Sequence, residues 1–112
     1  MNQYQLTMMR GDSRTFTITL TDSAGDPYDL TGASLWFTVG NLVEKTVGDG
    51  ITVETPANGV ATIDFVPADT ESVSDVRRAY RYDVQVKLSD GTVKTPIRGL
   101  FVITPDVTTE TS

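Results

Sequence analysis

The sequence predicts an all-β sandwich or barrel, and three observations carry that reading. Apolar and polar residues alternate with period two in several short runs. Turn signals containing Gly separate those runs, and a single short segment has helical character. At 112 residues the chain fits one domain, large enough to hold a core without metal or disulfide staples. The sandwich is expected over residues 1–104, followed by a polar tail over 105–112, "PDVTTETS".

Taken in order, the first run spans Gln3 to Met9. The second is the clearest: Phe16, Ile18 and Leu20 alternate with Thr15, Thr17, Thr19 and Thr21, the pattern of a strand buried on one face only. Ser34 to Val39, Val43 to Val47 and Ile51 to Glu54 follow. In Val60 to Phe65 the residues Ala61, Ile63 and Phe65 are expected to face inward. In Tyr80 to Leu88 the inward set is Tyr80, Tyr82, Val84, Val86 and Leu88. Val93 to Ile103 closes the series. Between them lie "DSAGDP", "DLTG", "GDG", "PANG" and "SDG", where Gly accepts a positive φ and Asp or Asn bonds its own nearby backbone. The helical segment is "PADTESVSD", a turn or two in which Pro67 can begin a helix and Asp69 can cap one.

Between the first two strands sits Arg10-Gly11-Asp12-Ser13, the tetrapeptide that animal integrins read as an adhesion signal. Its three-letter core arises by chance in about one chain in fifty of this length. The sequence reads it as a turn joining two antiparallel strands, with Gly11 supplying the permissive backbone and Asp12 a local acceptor.

The chain contains neither Cys nor His. Those absences remove disulfides, thiolate zinc sites, Ser-His-Asp triads, Cys-His nucleophiles and imidazole acid-base chemistry. Net charge is -6, which works against sequence-independent binding to a phosphate backbone. The distribution is uneven: residues 15–76 carry ten carboxylates against Lys45, whereas residues 77–98 carry six Lys or Arg against two Asp. No apolar run approaches the ~20 residues that cross a bilayer, and the N-terminus lacks a secretory pattern.

Several segments, in order, resemble the N-terminal immunoglobulin-like domain of baseplate upper proteins and related tail proteins of tailed phages. They are "RGDSRTFTITL", "GDPYDLTGASLWFTV", "NGVATIDFVPADT", "YRYDVQV" and "DGTVKTPIRGLFVITPDVT", running from about Met9 to Thr108. The resemblance implies a single immunoglobulin-like β-sandwich of about seven to eight antiparallel strands. It also implies a non-enzymatic structural role in a virion assembled in the host cytoplasm, most naturally in the tail or baseplate. Partners would be other virion proteins and copies of the chain itself, with no cofactor, nucleic acid, membrane or small-molecule substrate. A capsid decoration or fibre-attachment module, and a carbohydrate-binding or adhesive module at a host surface, remain as alternatives. Leu30 in "YDLTGA" is expected to plug one end of the core, and Tyr80 and Tyr82 in "AYRYDV" are similar to the tyrosine that pins a crossover in immunoglobulin-like folds.

Three constellations stand out as candidate sites. The basic residues Arg77, Arg78, Arg81 and Lys94 form the candidate docking side, set against the acidic middle of the chain. The acidic loop Asp22, Asp26 and Asp29 offers oxygen ligands for a hard cation, yet lacks the regular ligand alternation of a strong calcium loop. Glu54 with Asp64 exemplifies the two carboxylates that glycosidase chemistry needs at a fixed separation, although fifteen Asp and Glu in a small domain make such pairs expected without function.

Overall fold

The structure, a computed structural model, describes residues 2–3, 5–71, 73 and 78–105. Nine strands account for most of them: β1 (Asn2–Gln3), β2 (Leu6–Met9), β3 (Arg14–Thr19), β4 (Ser34–Val39), β5 (Val43–Val47), β6 (Gly50–Thr55), β7 (Val60–Phe65), β8 (Arg78–Lys87) and β9 (Val93–Thr104). The only helical pieces among the described residues are two single 3-10 turns, Pro56–Asn58 and Pro67–Asp69. The second is capped as its sequence implies, with the Asp69 carboxylate accepting from the Val66 N–H at 2.9 Å. Apart from Pro105, the polar tail expected over 105–112 lies outside the described residues, as does Arg77.

The strands form one ladder in the order β1-β9-β8-β4-β5-β6-β7-β3, with β2 also pairing β9. The ladder doubles back at the β5–β6 corner, where a short parallel pairing joins Thr46 to Gly50 and Val47 to Ile51. That corner places β6, β7 and β3 over β9, β8 and β4. Side chains crossing the gap define the core: Phe37 of β4 meets Phe65 of β7 at 5.8 Å, and Phe16 of β3 meets Phe101 of β9 at 5.7 Å, both edge to face. The molecule is an all-β sandwich, joined along one side at β5–β6.

Alternation decides which residues enter the core. Phe16, Ile18, Leu20, Ala61, Ile63, Phe65, Tyr82, Val84 and Val86 are all buried, as their period-two spacing predicts. Tyr80 and Leu88, expected with them, are only half-buried, because they lie at the two ends of the inward stripe. Leu30 is buried as the sequence predicts, and its N–H donates to the Pro56 carbonyl at 2.8 Å.

Two departures from the sequence expectation matter. First, β2 and β1 run parallel to β9, whereas β3 pairs with β7. The Arg10–Ser13 segment therefore does not close a hairpin; it carries the chain from one sheet to the other. Second, β5 turns Lys45 inward, where its ammonium reaches Asp69 at 2.8 Å and lies 5.4 Å from the Phe65 ring centroid. The lysine stem runs against Gly50, whose φ is 99°; a Cβ there would stand 2.5 Å from the Lys45 Cδ. Only glycine accommodates both that backbone and that neighbour.

Candidate docking face

The core-facing side of β9–β8–β4–β5 is mainly apolar, with Lys45 the inward exception, so most of its polar side chains emerge on the opposite side, in an order set by register. Arg98 lies opposite Asp83, Asp83 opposite Thr38, and Thr38 opposite Glu44. These four residues form a row across four strands, with about 4.8 Å between neighbours. A second row holds Gln85, Trp36 and Thr46. A third holds Leu100 beside Arg81, with the Gly40 N–H donating to the Arg81 carbonyl at 2.7 Å.

The surface between these rows is hollowed. Thr38, Gly40, Arg81, Asp83, Arg98 and Leu100 border an open depression of about 600 Å³. An adjoining one of about 330 Å³ is bordered by Trp36, Thr38, Glu44, Asp83 and Gln85. Thr38 and Asp83 belong to both, so the two read as one trough. Within it the Thr38 hydroxyl donates to Glu44 at 3.0 Å. No hydrogen bond or ion pair to a described residue engages the side chains of Arg81, Asp83, Gln85 or Arg98. Their hydrogen-bonding capacity faces solvent, and among the described residues this is the only sheet face where two arginines, a carboxylate and an indole converge.

The sequence-derived basic side is divided by the fold. Arg81 lines the trough. Arg78 has the parity of Tyr80 and Tyr82, so alternation directs it to the other side of β8. Lys94 lies opposite Val86, near the far end of the β8–β9 pair from Arg78. Arg98, which a local charge count does not single out, joins Arg81 because β9 returns antiparallel to β8. Cross-strand register thus mixes Arg with Asp and Glu on one face instead of gathering a purely basic patch.

The remaining candidates resolve into local roles. Asp22 accepts from the Ala24 and Asp26 N–H groups through one oxygen, at 2.9 and 3.0 Å. Asp29 accepts from Thr31, whose side chain and N–H together hold the carboxyl below its usual range. These carboxylates shape turns, and no group of three or more candidate metal ligands comes together among the described residues. Glu54 and Asp64 stand four positions apart on the β6–β7 register, roughly 13 Å along the strands. That exceeds both separations used for glycoside hydrolysis.

The Arg10–Ser13 segment is tied down. The Arg10 guanidinium donates to the Val73 carbonyl at 2.8 Å and to the Glu71 carbonyl at 2.9 Å, and the Gly11 N–H donates to the buried Thr70 hydroxyl at 2.8 Å. Gly11 has φ 80°, the conformation a turn requires. An arginine spent on backbone carbonyls is not displayed for a receptor, so this segment is a staple between the two crossovers. No protein-family model matches the chain, and no curated protein does.

Proposed function

We propose that the protein is a non-enzymatic structural component of a bacteriophage virion, in the tail or baseplate, that docks a neighbouring virion protein through the trough face of β9–β8–β4–β5. One observation carries the docking part: Arg81, Asp83, Gln85 and Arg98 stand together on that face, engaged by no described residue. A mixed row of both signs fits a protein surface of complementary pattern, because it sets register and rejects mismatched partners. The regular negative line of a nucleic acid offers no counterpart to Asp83 and Glu44. The virion setting rests on the resemblance of the ordered motifs from Met9 to Thr108, and a capsid-decoration role uses the same fold with a different neighbour.

A second reading, a carbohydrate-binding module, draws support from Trp36, which offers an aromatic face beside Asp83, Gln85 and Glu44. The two readings separate experimentally. Mass spectrometry of purified particles is expected to find the chain in stoichiometric amounts, and a glycan array probed with the isolated domain is expected to stay blank. Absence from the particle together with strong glycan binding reverses the assignment.

A further inference from the structure

The β6–β7–β3 sheet ends at β3, and no described strand pairs its outer edge. The edge is straight, six residues long and free of proline and bulges, and Thr15, Thr17 and Thr19 are exposed along it. Natural edges of this kind are usually shortened, bulged or guarded by charge. Here the charged residue is Arg14 at one end, its guanidinium 4.8 Å from the Phe16 ring centroid.

We propose that this edge pairs with β3 of a second copy of the chain, antiparallel and centred on Thr17. The Leu20 N–H donates to the Gly59 carbonyl at 2.8 Å, on the same register that runs through β3 and β7. Backbone groups of alternate residues therefore face β7, and those of Thr15, Thr17 and Thr19 face outward.

A twofold axis perpendicular to the sheet keeps inner faces together, which requires paired positions of equal parity. Centring on Thr17 meets both conditions. Thr17 faces its own copy and Thr15 faces Thr19, so the three outward-directed residues of each chain all fall in hydrogen-bonded pairs. Phe16 lies opposite Ile18 on the inner side, and both are the least covered large apolar residues of the β3 core stripe. Threonine pairs and aromatic to β-branched pairs are favourable across strands. The two Arg14 residues fall at opposite ends and do not oppose each other. A slip of one residue breaks the parity, and a slip of two keeps it but leaves one outward threonine of each chain unpaired, so Thr17 is the centre that uses all three, and the contact is isologous and closed.

A single strand edge is a small interface, so the pairing is weak in isolation and gains from repetition in an assembly. It stands apart from the trough reading, since it concerns the isolated domain and a different sheet. The test is analytical ultracentrifugation up to about 1 mM, the weak limit of specific association. The mass is expected to rise from 12.2 kDa toward twice that value. Thr17→Lys brings two like charges together at the axis, and it is expected to hold the chain at one copy with an unchanged circular dichroism spectrum. Because the chain has no Cys, Thr17→Cys under oxidised glutathione is expected to give a crosslinked dimer, whereas Thr15→Cys, which faces Thr19, gives far less. Three results each overturn the proposal: a monomer at every concentration, a Thr17→Lys chain that still doubles in mass, or equal crosslinking of the two Cys variants.

Discussion

The two sides of β8 differ in what holds their side chains. Inward, Tyr82, Val84 and Val86 pack into a core of interlocking rings, and Phe101 alone lies within 6.3 Å of the ring centroids of Phe16, Phe37, Phe65 and Tyr82. Outward, Arg81, Asp83 and Gln85 have no described partner. The inner residues are fixed by shape, since a well-packed interior tolerates few changes of volume. Folding makes no comparable demand on the outer ones. Their convergence around a trough is the ground for the proposed docking role.

The largest effect that sharpens this contrast belongs to the core. Phe101→Ala is expected to lower stability by about 3 to 5 kcal/mol in urea unfolding, as large aromatic truncations do, and Phe16→Ala falls in the same range. Lys45→Ala follows, at about 3 kcal/mol, because it leaves the mostly buried Asp69 carboxylate without its cation. Lys45→Met, which keeps the stem against Gly50 and Phe65, recovers none of the charge pairing, so the difference between the two variants isolates packing. Arg10→Ala comes next, at about 2 kcal/mol, since two carbonyls lose a charged donor. Asp12→Glu leaves melting unchanged, and no integrin-dependent cell attachment is expected before or after it. Trp36→Ala belongs to the outer face, and because the indole is half-buried it is expected to cost about 1 kcal/mol.

The smallest effect is that of pH. Asp29 and Asp90 both titrate below the ordinary value of 3.8, Asp29 chiefly through the Thr31 side chain and Asp90 chiefly through the Thr92 N–H. A carboxyl depressed in the folded state contributes stability that is complete above its unfolded pKa and is lost as pH falls through the folded one. Both groups are fully exposed, so Asp90→Asn is expected to flatten the melting curve only slightly, and only below about pH 4.

Most of the fold was legible because period-two alternation is a local signal. Phe16, Ile18, Ile63 and Val84 announce their side of the sheet from their own neighbours, and "PANG" and "SDG" announce turns the same way. Lys45 was not legible: in Val43-Glu44-Lys45-Thr46-Val47 either face can be the inner one, and the partner that makes an inward lysine tolerable lies 24 positions away. The trough was half legible. Arg81 stood out in a basic cluster, but Arg98, Asp83, Thr38 and Glu44 meet only through the pairing of four strands. A register irregularity between Val84 and Val86 further shifts how β8 meets β9. The Arg10–Ser13 segment shows the same limit, since its chemistry was readable as a turn while its crossing between sheets depended on β2 choosing β9.

The docking proposal assigns the outer face of β9–β8–β4–β5 to binding and not to folding. The most direct measurement is the double charge reversal Arg81→Glu with Arg98→Glu, read by thermal melting of the isolated domain and by incorporation of the chain into particles. A docking role predicts a melting temperature within a degree or two of the parent, as surface changes give, together with loss of incorporation. Full incorporation, or a fall in melting temperature as large as that of Phe101→Ala, contradicts it.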